Sequence, residues 1–438
     1  MSQTSARAET AELLAERSYM LFIAARLAAT IGVQVQGTAI LWQVYTLAKV
    51  TLTHGGQVDP VLLVKQSAFI ISLIGLIQFL PVLFLTLIAG QVADRYDRKL
   101  ILRITLCVDI VATLSLALLA AFKPTLWPIF VIAGVFGASR AFMGPAGGSM
   151  VPMLIPRHLM PRALAWSSLS FYGATTVGAA MGGILVAAIS PVGAYGLAAV
   201  LYLVAITLLS GIKKNTRPEH NPASRLEMVK EGLVYVWREK IVFGAISLDL
   251  FAVLLGGATL LMPVFAVDVL HVGSAGFGLL RSSQSAGGLL VAAWLAAHPI
   301  KRHAGAVMFT GVAIFSLATI VFGVAQPMTS AIGIGFIAYP LSIAALATLG
   351  GADMLSVYVR QTLVQIVTPD AMRGRVAAVS GLFIGASNEL GEFESGLVAR
   401  FLGPIGAAVF GGVGALAVTG LWSQMFPALR KADRLTGD

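Results

Sequence analysis

Long runs of apolar residues alternate with short polar or basic segments along the whole chain. Twelve of these runs reach the roughly 20 residues that a helix needs to cross a bilayer. They are numbered spans 1 to 12 and cover residues 19–47, 67–91, 100–122, 127–150, 163–189, 191–212, 241–267, 275–297, 305–325, 330–356, 376–401 and 404–426. Each run predicts one membrane-spanning helix.

The longest polar stretch divides the spans into two sets of six. Residues 213–240 contain Pro218, Pro222 and seven Lys or Arg residues. The pattern predicts an N-terminal tail at 1–18, a six-helix bundle at 19–212, a linker at 213–240, a second six-helix bundle at 241–426 and a C-terminal tail at 427–438. The expected fold class is an all-α membrane protein with twelve transmembrane helices in two pseudo-symmetric bundles.

Composition excludes the common soluble classes. Of the 438 residues, 57% are hydrophobic and 11% are charged, whereas soluble proteins carry about 25% charged residues. A soluble enzyme and a disordered chain are therefore excluded. The single cysteine, Cys107, excludes an internal disulfide and a cysteine-ligated zinc site. No phosphate-binding loop or hydrolase motif is present, so we expect no metal, no cofactor and no enzymatic activity.

The basic residues fall mainly on one side of the predicted membrane. Of the 30 Lys and Arg residues, 23 lie in the tails, the linker and the loops on the same side. Five lie on the opposite side, namely Lys49, Lys65, Lys123, Arg281 and Arg400. Because Lys and Arg are retained in the cytoplasm, both termini and the linker are predicted to be cytoplasmic. The formal charge of +10 is interpreted in the same way and not as a nucleic-acid surface.

An internal repeat is visible at an offset of 213 residues. Residues 156–183 and 369–396 align without gaps with seven identities in 28 columns, including Gly178 with Gly391 and Gly183 with Gly396. Similar helix composition is the alternative explanation. A true repeat places the loop before span 5 over the loop before span 11, as two parallel six-helix halves require.

The loop after span 2 holds the most specific motif, GQVADRYDRK. In it, Gly90 permits close helix contact, Asp94 accepts from cations, and donors come from Arg95, Arg98 and Lys99. An ordinary basic loop is the alternative interpretation. The motif resembles the signature of the major facilitator superfamily, from which Asp97 departs because the family usually has glycine there. The resemblance implies that Asp94 helps to hold the two halves together on the cytoplasmic side.

A second stretch, in span 5, is similar to a glycine motif of antiporters in this family. Gly178, Gly182 and Gly183 match, whereas Ala174 and Ala179 replace a glycine and a proline. Close packing of small residues is an equally good explanation. The segments Thr368–Val376 and Asn388–Gly396 resemble the branch that includes bacterial enterobactin and related siderophore exporters. This resemblance implies efflux and a location in a bacterial-type cell (inner) membrane.

Ionisable and polar residues inside the spans are the candidate functional residues, because a charge at a span centre costs about 2.5–3.5 kcal/mol. The family lines its cavity with spans 1, 4, 7 and 10, so the candidate substrate residues are Arg26, Gln34, Gln36, Arg140, Asp249 and Asp353. Glu389 and Glu392 share a helix face of span 11 and are the candidate proton carriers. Their alternative role is to hold helices together. Asp109 is expected to partner the basic loop.

The expected function is secondary active transport, namely proton-coupled export of a small amphipathic or siderophore-like compound by alternating access. The partners are the substrate, protons and the lipid bilayer. An uptake symporter or a lipid flippase of the same fold is the alternative, and a membrane-embedded enzyme or receptor is a remote one. Neither the substrate nor the oligomeric state can be read from the sequence.

Overall fold

A computed structural model of the chain describes residues 11–53, 59–122, 124–217, 225–300 and 302–433, and within these ranges regular structure is helical throughout. Parts of three predicted segments lie outside the described residues. They are positions 1–10 of the N-terminal tail, 218–224 of the linker and 434–438 of the C-terminal tail.

The spans are long helices, most of them extending beyond the predicted bounds. Spans 1 to 6 are Arg17–Thr53, Pro60–Arg95, Arg98–Phe122, Leu126–Gly148, Met160–Ala188 and Pro191–Ser210. Span 7 is interrupted: Lys240–Leu255 is followed by the 3-10 turn Ala258–Leu261, the short helix Met262–Val264 and the π-helical turn Phe265–Val269. Spans 8, 9 and 10 are Gly273–Ala297, Ala304–Ala331 and Ala338–Val367.

The last two spans form one helical segment, Asp370–Met425, with a break inside it. At Gly403 the backbone has φ 78° and ψ 170°, a conformation that glycine adopts readily because it lacks a Cβ. Pro404 then begins the next helix, as is usual for proline at a first helical position. The segment therefore divides into span 11 (370–402) and span 12 (404–425).

Within the described ranges, ten helices are long and apolar enough to cross a membrane. This count treats Asp370–Met425 as one helix, although its break at Gly403 divides it into spans 11 and 12. It also leaves out span 8, Gly273–Ala297, which has the length of a span but a more polar sequence that includes Arg281 and Gln284. With these two additions the number of spans is twelve. The predicted all-α fold with twelve membrane helices is confirmed.

Span 10 corrects the sequence-based bounds. We predicted it at 330–356, and it lies at Ala338–Val367. Arg360, which we assigned to a cytoplasmic loop, is therefore inside the helix, and only 3% of its surface is exposed. A search for apolar runs ends each predicted span at a charged residue. It therefore leaves out of the span a charged residue, such as Arg360, that is buried beside a partner elsewhere in the chain.

Residue contacts group the chain into two compact units. The first unit consists of Met1–Ile40 and Leu80–Pro222, and the second of Leu41–Phe79 and Ala223–Asp438. The division passes through spans 1 and 2, so the C-terminal part of span 1 and the N-terminal part of span 2 pack within the second unit. The proposed boundary between two six-helix bundles at the linker stays a prediction.

The linker contains a helix, Arg225–Arg238, that belongs to the second unit. We call it the linker helix. Val236 is buried in a cluster with Val242 and Ile246 of span 7 and Val376 and Val379 of span 11. Arg375 of span 11 forms an ion pair of 2.7 Å with Glu231. The polar composition of the linker concealed this short amphipathic element.

Tyr235 fixes the linker helix to the end of span 10. Its hydroxyl donates a hydrogen bond to the carbonyl oxygen of Val367 at 3.3 Å. Burial and, after it, the nearby Glu239 carboxylate raise the pKa of Tyr235. The hydroxyl therefore keeps its proton, and its role as donor, through the physiological pH range.

Candidate functional site

A buried hydrogen-bond network connects spans 1, 3 and 6 in the first unit. The amide oxygen Oε1 of Gln36 accepts from the Tyr202 hydroxyl at 2.6 Å and lies 3.0 Å from the Thr113 hydroxyl. Tyr202 and Thr113 are fully buried, and Gln36 is 4% exposed. Gln36, a candidate for substrate binding, is thus held by partners that the sequence did not indicate, because they lie far away along the chain.

Asp109 lies next to this network. The carbonyl oxygen of Asp109 is 2.6 Å from the Thr113 hydroxyl. The polar neighbours of its carboxylate are Ser139 and Arg140 of span 4. The sequence predicted a partner in the basic loop, so this expectation was wrong. Asp109 is 4% exposed, whereas Arg140, its cationic neighbour, is exposed.

The two other candidates in span 1, Arg26 and Gln34, are half-buried. Arg26 has the Tyr19 hydroxyl as an electrostatic neighbour, and this hydroxyl donates to the carbonyl oxygen of Ala163 in span 5 at 2.9 Å. Gln34 is half-buried at the contact with Gly178.

The glycine motif of span 5 is a helix contact. A Cβ atom on Gly178 would lie 2.8 Å from Gln34 Cβ and 2.9 Å from the carbonyl oxygen of Ile31. One on Gly182 would lie 2.8 Å from Thr38 Cβ, and Gly183 is buried. These glycines therefore allow spans 1 and 5 to touch at the level of the backbone. The packing explanation accounts for their positions; an additional role in antiport stays a prediction.

The repeat partner Gly391 makes the corresponding contact in the second unit. A Cβ atom on it would lie 2.7 Å from the carbonyl oxygen of Val253 and 2.9 Å from that of Leu254, both in span 7. Span 5 thus packs on span 1 through Gly178, and span 11 packs on span 7 through Gly391. This agreement supports the repeat as structural.

Asp249 of span 7 forms a buried ion pair with Arg360 of span 10. The carboxylate oxygen Oδ1 contacts the guanidinium Nη1, and the side chains are 9% and 3% exposed, respectively. Asp249 is a predicted cavity residue, but its partner was missed because the sequence analysis placed Arg360 in a loop. A carboxylate buried with an arginine keeps its charge compensated inside the bilayer.

Arg140 and Asp353 occupy equivalent repeat positions in spans 4 and 10. Arg140 belongs to the first unit and is exposed, whereas Asp353 belongs to the second and is half-buried. Their participation in a common cavity stays a prediction.

The candidate proton carriers lie where span 11 crosses span 2. A Cβ atom on Gly75 would lie 3.0 Å from the carbonyl oxygen of Glu389 and 3.3 Å from the carboxylate oxygen Oε2 of Glu392. Glu389 is 7% exposed and Glu392 is half-buried. Nearby, Gly396 of span 11 is in tight contact with Ser72 of span 2. The absence of a side chain on Gly75 thus leaves room for the Glu392 carboxylate between two helices.

Three of the five cations that depart from the positive-inside pattern connect helices near the ends of spans 1, 2, 7 and 11. Lys49 Nζ lies 2.6 Å from Asp268 Oδ1, in the π-helical turn of span 7. Lys65 Nζ donates to the carbonyl oxygen of Phe401 at 2.8 Å, and Arg400 lies 4.8 Å from the centroid of the Phe69 ring. We call these three contacts the end contacts.

The signature loop packs against spans 4 and 6 within the first unit. The Arg98 guanidinium donates to the carbonyl oxygen of Ser149 at 3.3 Å and has Asp94 as its acidic neighbour. Lys99 Nζ donates to the carbonyl oxygen of Ile212 at 2.9 Å. Gly90 is buried, whereas Arg95 is exposed.

Asp97, the departure from the family signature, caps span 3. Its carboxylate accepts from the Lys99 backbone N–H at 3.0 Å and from the Thr216 hydroxyl. Asp97 is absent from the residues with positive φ, so the turn does not require glycine. A helix N-cap replaces the glycine turn of the signature.

Among the described residues, no group of three His, Cys, Asp or Glu side chains is arranged to hold a metal ion. The polar and charged candidate residues belong partly to the first unit and partly to the second.

Comparison with known proteins accounts for this arrangement. The model of a family described as transmembrane secretion effector matches residues 14–436. The multidrug efflux pump Tap of Mycobacterium tuberculosis is 25% identical over 392 residues, covering 84% of this chain and 88% of the pump. The enterobactin exporter EntS of Citrobacter koseri is 26% identical over 338 residues, covering 75% of this chain and 73% of the exporter.

Solved structures agree on the fold. A D-xylose-proton symporter superposes with a TM-score of 0.72 over 96% of this chain and 99% of the symporter, at 12% sequence identity.

Proposed function

The chain belongs to the transmembrane secretion effector family of major facilitator transporters, and on this basis we propose that it is a proton-coupled exporter of small amphipathic compounds. It is a multi-pass membrane protein and a transporter, not an enzyme. The proposal adds the direction of transport, the coupling ion and the class of substrate.

The direction is inferred from the relatives. Tap is a multidrug efflux pump and EntS exports enterobactin, and both cover most of this chain. We therefore propose efflux across a bacterial inner membrane, with both termini in the cytoplasm as the Lys and Arg distribution predicts.

Candidate substrate contacts exist in both units. Arg26, Gln34, Gln36 and Arg140 belong to the first unit, and Asp249 and Asp353 to the second. Gln36 and Asp249 are fixed by buried partners, so we assign them to shaping the site. Arg140, which is exposed, is the better candidate for direct contact with an anionic group of a substrate.

The observation that carries proton coupling is the position of Glu392 at the crossing of spans 2 and 11. A charged carboxylate is costly to bury between two helices, whereas its protonated form is less so. Binding of a proton to such a carboxylate therefore stabilises the helix contact, and release of the proton weakens it. Gly75 makes this position possible. The protonation state of Glu392 is thereby coupled to the separation of spans 2 and 11. Glu389 lies one helical turn before Glu392 on the same span.

Transport in proteoliposomes tests the proposal. The full-length protein is reconstituted, and efflux of ethidium and of enterobactin is measured with and without an imposed pH gradient. We expect gradient-dependent export. Export that is indifferent to the gradient excludes proton coupling, accumulation in the opposite direction supports a symporter, and movement of fluorescent phospholipid instead of either compound supports a flippase.

Two matched variants locate the coupling. Glu392→Gln is expected to retain substrate exchange without a gradient and to lose the acceleration by the gradient. Glu394→Gln is the control, because Glu394 belongs to the same span and is also half-buried, but its carboxylate accepts from the hydroxyl of its neighbour Ser395 at 3.5 Å. Equal gradient dependence in both variants rejects the assignment of Glu392.

A further inference from the structure

An apolar groove of about 600 Å³ lies between the linker helix and one side of span 7. The linker helix contributes Leu233, Val234 and Trp237, and span 7 contributes Phe243, Leu250 and Phe251. Ser247 and Phe251, also in the lining, are each two residues from Asp249, so they lie on the opposite side of the helix from the Asp249–Arg360 pair. The groove therefore lies mainly on the side of span 7 away from this pair, and none of the candidate transport residues lines it.

Aromatic rings form a continuous wall beside the groove. Trp237 contacts Phe243 with ring centroids 5.0 Å apart, and Phe243 contacts Phe426 at 5.9 Å. Phe426 contacts Trp422 at 6.1 Å, and Trp422 contacts Phe251 at 5.2 Å. Such a wall fixes the shape of the groove along span 7.

The length of the groove matches one leaflet of a bilayer. Phe243 and Phe251 are eight residues apart, which corresponds to about 12 Å along a helix, and half of the hydrocarbon core measures about 15 Å. Trp237 at the linker end is 72% exposed, and tryptophan prefers the membrane interface. An acyl chain has the chemistry and the dimensions that this surface accommodates.

The linker end of the groove carries positive charge. Arg238 lines the groove, and both Arg238 and Lys240 are exposed. Of the acidic residues nearby, Glu231 is paired with Arg375 and Glu239 is half-buried. The accessible charge at this end is therefore complementary to a phosphate group.

We propose that the groove binds an anionic phospholipid from the leaflet at the linker, with one acyl chain along span 7 and the phosphate near Arg238 and Lys240. Bound lipid would fill the space between the linker helix and span 7 and hold the linker helix at the membrane surface. This site is additional to transport, and its test requires no transport measurement.

Native mass spectrometry of the full-length protein in detergent tests the proposal, with added phosphatidylglycerol and phosphatidylcholine as probes. The wild-type protein is expected to prefer phosphatidylglycerol. Arg238→Gln is expected to lower the affinity for phosphatidylglycerol about fivefold and to leave phosphatidylcholine binding unchanged. The fivefold figure corresponds to about 1 kcal/mol, the contribution of one basic residue at a membrane surface. Because Arg238 is exposed, this variant should fold normally.

A second variant fills the groove. Leu250→Trp is expected to reduce binding of both lipids, whereas Leu290→Trp, on a 70% exposed position of span 8, is the control and should bind both as the wild type does. Thermal melting verifies that both variants are folded. Equal binding of the two lipids by the wild type, or unchanged binding in Leu250→Trp, overturns the proposal. So does a dimer that only Leu250→Trp abolishes, because the groove would then be a protein interface.

Discussion

Asp249 and Arg360, 111 positions apart in the sequence, form an ion pair that joins spans 7 and 10 inside the second unit. Both side chains are almost fully buried, so neither charge is stable there without the other.

Single substitutions that break this pair should destabilise the protein strongly. We expect Asp249→Asn or Arg360→Met to lower the free energy of unfolding by about 3–5 kcal/mol, because each leaves one buried charge uncompensated. The double variant Asp249→Leu with Arg360→Met should recover most of that loss. Melting temperatures in detergent measure the stability, and transport assays show whether the pair has a further role. If the double variant regains stability but not transport, the pair is part of the transport machinery; if the single variants melt as the wild type does, the pair is not the stabilising contact.

The glycines Gly178 and Gly391 should tolerate even one methyl group poorly. We expect Gly178→Ala and Gly391→Ala each to cost about 1–3 kcal/mol through overpacking, since the added Cβ would press on a neighbouring backbone. Gly173→Ala and Gly381→Ala are matched controls in the same two spans, because nothing lies within 4 Å of a Cβ at either position. Thermal melting distinguishes the pairs. Similar melting of all four variants would show that the close helix contacts are unimportant for stability.

The end contact between Lys49 and Asp268 should change during alternating access. In a Cys107→Ala background, which removes the exposed native cysteine, the double variant Lys49→Cys with Asp268→Cys should form a disulfide under mild oxidation. We expect transport to stop on oxidation and to return with reductant. Each single cysteine variant is the control. A cross-linked protein that transports at the normal rate would show that spans 1 and 7 do not separate.

Asp94 is predicted to act in the cytoplasmic gate. We expect Asp94→Asn to reduce turnover while substrate binding to the detergent-solubilised protein stays close to wild type, because the carboxylate charge would be needed for the change of state and not for the substrate. Arg95→Gln is the comparison within the motif, since Arg95 is exposed. Normal turnover of Asp94→Asn in proteoliposomes removes the assignment.

Asp97 gives a separate prediction about stability. Asp97→Ala should cost about 0.5–2 kcal/mol, and Asp97→Gly only a few tenths, because glycine is tolerated at an N-cap. Both should transport normally. A larger loss with glycine than with alanine in thermal melting would indicate that capping is not what Asp97 contributes.

The sequence by itself determined the environment and the architecture. Long apolar runs can satisfy their backbone hydrogen bonds in a bilayer only as helices, so the number and approximate position of the spans follow from local composition. The repeat at an offset of 213 residues and the signature from Gly90 to Lys99 are likewise local patterns. They were sufficient to identify the family.

Only the tertiary structure decided which charges meet. The partner of Asp249 is Arg360, the partner of Lys49 is Asp268, and Ser139 and Arg140 lie beside Asp109. Hydropathy records the cost of each charge separately, whereas the free energy of a buried charge depends on a partner brought near by folding. For this reason the spans were predictable from the sequence, while span 10 was misplaced at Arg360 and the contacts of the candidate site required the folded chain.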